Sequence, residues 1–137
     1  MMPYEFVGWT FNNTSAVTAI TSTRIYHGLR ARSSVLPAIN YQELGPGSRF
    51  YGYERQPYTA LCRADTPAGA RDLARVVTTV VAGSAGTGIT GTNNGFTLDL
   101  GTLIADQGLI PEELVDGKTV YNVPIDFRLI YAVSTVS

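Results

Sequence analysis

This sequence is short of charge. Asp, Glu, Lys and Arg make up 15% of its 137 residues, against about 25% in an average soluble domain. It also holds one Lys, one His and one Cys. Each shortage excludes something. A lone cysteine, Cys62, rules out an internal disulfide and any cysteine-built zinc site, and its strand-like neighbours make it a buried thiol. A lone histidine, His27, with no acidic neighbour in sequence reads as a structural or surface residue, and no Ser-His-Asp or Cys-His arrangement can be drawn around it. No apolar run approaches the ~18–20 residues that cross a bilayer. The start, Met1-Met-Pro-Tyr-Glu-Phe6, lacks the basic-then-apolar order of a signal peptide, so the Asn-X-Ser/Thr patterns at Asn12 and Asn13 read as chance matches. A net charge of −1 leaves no electrostatic footprint for nucleic acid.

The charge that is present has a bias. The ten basic residues are nine Arg and one Lys, Lys118, and there are eight Tyr. Protein interfaces are enriched in Arg and Tyr and depleted in Lys, because the first two cover large area at limited entropic cost. The composition therefore suits a chain whose exterior is covered by other chains; high genomic GC content is the competing source of an Arg excess. Residues 1–56 carry +2, residues 57–98 carry +1 and residues 99–137 carry −4. One mildly basic and one acidic portion suit like subunits that meet front to back around a ring. A solvated acidic loop is the plainer alternative.

The clearest element is a helix over 65–83. Ala70, Leu73, Ala74, Val77, Val80 and Val81 form one apolar stripe at helical spacing. Asp65 or Thr66 is placed to cap it, Pro67 sits where its missing N–H costs nothing, and Gly83 closes it. Gly69 and the valines lower its intrinsic propensity, so it needs a sheet to pack on. Residues 1–14 are mixed and polar without period; Asn12, Asn13 or Thr14 caps a short helix over Ser15–Ile20. Arg24 to Arg30 is a brief extended piece with a turn at Gly28. Pro37–Leu44 and Pro57–Ala64 read as strands, with Ser48–Arg55 a possible hairpin arm between them. Residues 83–95 have a connector's composition. Phe96–Leu100 is a third strand, 101–114 is irregular with a one-turn helix start at Pro111-Glu-Glu, and Asp116-Gly117 is a turn. Thr119–Val133 is the strongest strand: Ile125, Phe127, Leu129, Tyr131 and Val133 share one face, and Asp126 and Arg128 mark the other. Together these predict one α+β domain over 1–137, with a mostly antiparallel sheet of about four strands, one main helix packed on one face and a short N-terminal helix.

Three stretches imitate chemical motifs. Gly86-Thr-Gly-Ile-Thr-Gly91 spells G-x-G-x-x-G, but it follows a helix and precedes a strand, the reverse of what pyrophosphate binding requires. Gly117-Lys-Thr119 resembles the end of a phosphate loop, but the motif's first glycine would fall at Glu112, whose carboxylate repels phosphate. Glu112, Glu113 and Asp116 lack the spacing of a calcium loop and any companion set for acid–base catalysis, which leaves them as a solvated or interface-facing patch. Arg49, Tyr51, Tyr53 and Arg55 could stack on a nucleic acid strand, but Glu54 interrupts them, and protein contact is the more economical reading. No catalytic set, cofactor site or metal site emerges.

The order of segments resembles a known family. Ser15-Ala-Val-Thr-Ala-Ile20, Arg24-Ile-Tyr-His-Gly28, Leu36-Pro-Ala-Ile-Asn-Tyr41, Ala64-Asp-Thr-Pro-Ala-Gly-Ala-Arg-Asp-Leu-Ala74 and Val123-Pro-Ile-Asp-Phe-Arg-Leu-Ile-Tyr131 are similar, in pattern and order, to the tail-completion (tail-terminator) proteins of long-tailed bacteriophages. The resemblance implies a non-enzymatic virion subunit of the tail or neck, assembled in the host cytoplasm without cofactor, membrane or specific nucleic acid contact. It implies a homo-oligomeric ring, a hexamer, that caps the tail tube, stops addition of tube protein and offers a joining surface to the head-tail connector. No family binding residue can be carried over by position. The contact residues expected from composition and protrusion are Arg49, Phe50, Tyr51, Tyr53, Arg55, Glu112, Glu113 and Asp116. A head-completion or neck adaptor, and a small enzyme or ligand-binding domain, remain alternatives.

Overall fold

The computed structural model describes residues 2–28, 35–82, 89–93, 96–114 and 117–135, and for 89–102 the backbone course alone. The chain runs α1 (Pro3–Asn12), α2 (Ser15–Thr21), β1 (Ile25–His27), β2 (Ala38–Glu43), β3 (Ser48–Phe50), β4 (Tyr53–Ala64), α3 (Pro67–Ala82), β5 (Ile89–Asn93), β6 (Phe96–Asp106), β7 (Ile110–Glu113) and β8 (Thr119–Ala132), ending in a 3-10 turn at Val133–Thr135. The strands form an eight-stranded sheet of order β1-β2-β4-β8-β6-β5, with β3 also on β4 and β7 also on β8. β1 runs parallel to β2 and the other pairings are antiparallel. The α+β class and the helix-on-sheet arrangement are as the sequence predicts; the strand count is twice the expected four.

The sheet is built around β4 and β8, which pair from Tyr53↔Ala132 to Ala64↔Tyr121. Each central strand contains a proline, Pro57 in β4 and Pro124 in β8. A proline inside a sheet removes a ladder hydrogen bond and is tolerated only where the neighbouring strand leaves room. Here both neighbours break opposite it. β2 and β3 lie in line along β4 and are separated by residues 44–47; β6 and β7 lie in line along β8 and are separated by residues 107–109. At each jog one amide crosses to the proline carbonyl, Leu44 N–H to Pro57 O at 2.8 Å and Gln107 N–H to Pro124 O at 3.0 Å. Gly45 (φ +80°) and Gly108 (φ +79°) lie in the two jogs, in a backbone region open to glycine. Gly47 is required for another reason: a Cβ there would lie 2.7 Å from Gln56 Oε1.

All three helices contribute to one core cluster on one face of the sheet. From α3 come Ala70, Leu73, Ala74, Val77 and Val81, the predicted stripe with Val80 only half-buried. Thr66 is its cap, accepting the Gly69 N–H at 3.0 Å through Oγ1; the expected closure at Gly83 lies outside the described residues. From the sheet come Tyr58, Ala60, Cys62 and Ala64 of β4 and Val123, Ile125, Phe127, Leu129 and Tyr131 of β8, all buried. Val133, expected to continue that face, falls in the terminal turn.

Helix α1 replaces the aperiodic segment expected at the N-terminus. Pro3 occupies its first turn and Phe6, Val7 and Phe11 enter the core. Its polar residues bend back onto the helix: Thr10, Asn12, Asn13 and Thr14 each donate to the carbonyl four residues earlier, at 2.7–2.8 Å. Such bonds occupy the side chains read as caps of the next helix, so α2 starts after Thr14, at its N-cap position, without a side-chain cap. Gly8 lets α1 approach β2, because a Cβ there would meet Tyr41 Oη at 2.5 Å. Two further expectations are corrected. Residues 101–106 continue β6, and Pro111-Glu-Glu113 is strand β7 rather than a helix start. Leu114 N–H donates to Lys118 O at 2.8 Å, and the alternation of an antiparallel ladder then turns the polar groups of Pro111 away from β8. A proline on that free edge presents no donor, which blunts the edge rather than opening a helix.

Candidate interaction surface

The face of the sheet opposite the helices is the candidate surface. Alternation along the strands places on it Asn40 and Gln42 of β2, Arg55, Pro57, Thr59, Leu61 and Arg63 of β4, and Asn122, Pro124, Asp126, Arg128 and Ile130 of β8. No helix among the described residues packs there. Leu61, Pro57, Pro124 and Ile130 are half-buried, and Tyr53 and Ile110, at its two ends, are exposed.

At one end lies the β3–β4 hairpin, which carries five of the eight expected contact residues. Its loop is Tyr51-Gly52, with φ of +47° and +82°. Positive φ at both central residues is the mirror-image turn whose twist matches a hairpin. The strands of the hairpin lie within the sheet, since Tyr53, Glu54 and Arg55 also pair with β8; only the loop projects, with Tyr51 98% exposed. Alternation divides the rest. Phe50, Tyr53 and Arg55 face the open side, where the Phe50 and Tyr53 rings stack at 5.9 Å and the Arg55 guanidinium lies 4.1 Å over Phe50. Arg49 and Glu54 face the helix side. There Glu54 accepts the Tyr131 hydroxyl at 2.8 Å and Arg49 Nε lies 4.0 Å from its other oxygen.

At the other end of the open face, some twelve residues along β8, the expected acidic patch divides. Asp116 lies outside the described residues. Glu113 is exposed. Glu112 is committed inside the molecule: it lies 3.6 Å from Arg63 Nη2, and its Oε1 accepts Asn122 Nδ2 at 3.4 Å. Arg63 is 1% exposed and donates through Nε to Asn122 Oδ1 at 3.2 Å. This cluster joins β4, β8 and β7. Only the arginine of this pair is fully buried, so its charge depends on these acceptors more than the half-buried Glu112 depends on it. Between the ends, Asp126 is buried and accepts Gln107 Nε2 at 2.5 Å, while Arg128 Nε is buried without a partner among the described residues.

Two features escaped the sequence. His27 does have an acidic neighbour, Glu43, at 3.0 Å, and stacks on Tyr4 at 4.4 Å; the parallel β1–β2 pairing sets His27 beside Tyr41 and so near Glu43. Tyr58 and Tyr131 crowd the same side of the sheet, and burial, then neighbouring carboxylates, raises both phenols well above their ordinary value. Burial pushes the Cys62 thiol up as well, which makes it inert as a nucleophile. Among the described residues no group of three or more His, Cys, Asp or Glu is placed to hold a metal ion. Of the two phosphate-like motifs, Gly86, Thr87 and Gly88 lie outside the described residues while Ile89–Gly91 belong to β5, and Gly117 is in the β7–β8 turn.

The fold is similar to that of a solved chain described as "Virion of native gene transfer agent (GTA) particle", with a TM-score of 0.59 over 92% of this chain and 91% of that one at 13% identity. No protein-family model and no curated protein matches the sequence.

Proposed function

We propose that this chain is a structural subunit of a phage-like virion and acts as a tail terminator. Copies of it form a closed ring, a hexamer, on the end of the tail tube; the ring stops addition of tube protein and offers a joining surface to the head-tail connector. The observation that carries this reading is the fold shared along nearly its whole length with a chain of a gene transfer agent virion. The segment-by-segment resemblance to tail-completion proteins narrows it to the tail end.

The open sheet face suits the role. Four rows of strands about 4.8 Å apart and about 12 residues long present roughly 750 Å², close to the ~800 Å² that one partner gives to a standard interface. Its polar composition fits a surface that meets both water and protein. The two ends of the face are unlike: Phe50, Tyr53 and the exposed Arg55 stand at one, and the exposed Ile110 stands at the other beside Glu112, which is already paired with Arg63. Such a face favours front-to-back contacts between copies, and these close into a ring.

Imaging and weighing the purified protein, alone and with tail tubes, tests the proposal. Six copies of 14.7 kDa give a ring of about 88 kDa, which should seat on tube ends and halt their growth. A ring that binds the connector and ignores tube ends would identify a neck adaptor instead. A monomer that leaves tube growth unchanged overturns the proposal.

A further inference from the structure

On the helix side of the sheet, where α1 begins, lies a cleft of about 260 Å³ whose polar lining is mainly acceptors set among aromatic and apolar side chains. Glu43, Glu54 and Gln56 line it together with the rings of Tyr4, Tyr58 and Tyr131, and Met2, Pro3 and Val133 form an apolar rim. Glu54 gives one oxygen to the Tyr131 hydroxyl; its other oxygen has only Arg49 Nε, at 4.0 Å, too far for a hydrogen bond. Gln56 is 9% exposed and donates its amide to Gly45 O and Pro57 O, both at 3.0 Å. Its carbonyl oxygen has no hydrogen-bond partner among the described residues, and it faces the same space as Glu54 Oε1: a Cβ built on Gly47 would meet the two at 2.7 and 2.9 Å. Among the described residues the cation at the site is Arg49, which stands at the rim with its side chain 70% exposed.

We infer that this cleft is a binding site for a guanidinium group on a short apolar stem. A planar cation with several N–H donors can lie against tyrosine rings and bridge Glu54 and the Gln56 carbonyl together, which a point-like ammonium does less well. Such a group can come from an arginine of a neighbouring copy, a residue this chain uses nine times, or from a free small cation. The site does not depend on the ring proposed above, and Arg49 is its internal competitor.

The probe is agmatine, titrated into the full chain by calorimetry, with assembly mass followed in parallel. Wild type should bind at a Kd of about 1 mM or tighter. Glu54→Gln, which keeps an acceptor for Tyr131 but removes the charge, should weaken binding tenfold or more. Arg49→Ala should tighten it several-fold by freeing the cleft. If agmatine also lowers the mass of the assembly, a neighbour's arginine is the natural occupant; if it binds and the mass is unchanged, the occupant is a free cation. The site is overturned if agmatine produces neither heat nor a change of mass, if Glu54→Gln binds as wild type does, or if Arg49→Ala binds more weakly. Should Glu54→Gln fail to fold, the direction of the Arg49→Ala change decides alone. A monomer that still binds agmatine would sink the ring and keep the site.

Discussion

The two faces of the sheet bury polar groups by opposite means. Under the helices the ionisable groups are tyrosines and one thiol, Tyr41, Tyr58, Tyr131 and Cys62, each held in its neutral form by burial. On the open face the buried polar groups include two charges beside Asn40 and Asn122, Arg63 at 1% and Asp126 at 7% exposure, and each charge has a named partner. A neutral phenol packs against a phenylalanine, Tyr41 on Phe11 and Tyr58 on Phe127, whereas an arginine must bring its counter-charge with it. The difference teaches which face the fold closes by itself. The helix side is covered by α1, α2 and α3 except at the cleft beside the start of α1, whereas no helix among the described residues covers the open side.

The sharpest way to break the contrast is at Arg63. Arg63→Ala should lower the unfolding free energy by about 3 kcal/mol at most, read from urea melts, because it removes a fully buried side chain and takes a donor from Asn122 and a cation from the half-buried Glu112. Arg63→Met, which fills the space, should recover part of the loss; a wild-type melt for Arg63→Ala would show that the cluster is not buried in solution. The covered face is tested by alkali. Burial, then Glu43, pushes the Tyr41 phenol up to about 12 from an ordinary 10.0. Between those values the folded chain holds a proton that the unfolded chain has released, so stability is fully present below about pH 10 and falls as pH rises toward 12. Tyr41→Phe should make the fall of stability with pH shallower in that window, and an unchanged slope would mean that the phenol is solvated. The smallest effect is expected at Arg55, whose contact with Phe50 is an exposed cation–π pair worth about 0.5–1 kcal/mol. Arg55→Ala should melt close to wild type yet reduce assembly mass. A large loss of stability there would place Arg55 with Arg63, among the groups that hold the fold.

The parts legible in the sequence are those with a long, unbroken period. Helix α3 declared its core stripe because Ala70 to Val81 repeats over three turns, and β8 did so through the alternation from Val123 to Tyr131. What stayed hidden depends on partners far along the chain. Whether β7 is strand or helix start turns on Pro111 lying at an edge, which only its pairing with β8 decides. Helix α1 hid because Thr10, Asn12, Asn13 and Thr14 look like loop residues until their side chains fold back on the helix. The strand at 89–93 was masked by glycine, although Asn94-Gly95 beside it is a hairpin dipeptide. As for the expected contact residues, the sequence placed Arg49 to Arg55 in a hairpin but did not show that alternation sends Arg49 and Phe50 to opposite faces. It offered Glu112 and Glu113 as equals, and the distinction between them comes from Arg63, 49 positions earlier.

Prolines 57 and 124 have a consequence for how this chain can change length. Each interrupts its neighbour's ladder, so the pairing on either side of the gap is set independently. A residue added or lost at 44–47 or 107–109 is absorbed there, and no side chain downstream is forced to swap faces. These two gaps are expansion joints, the places where related chains can differ in length while the slab of sheet between them keeps its shape.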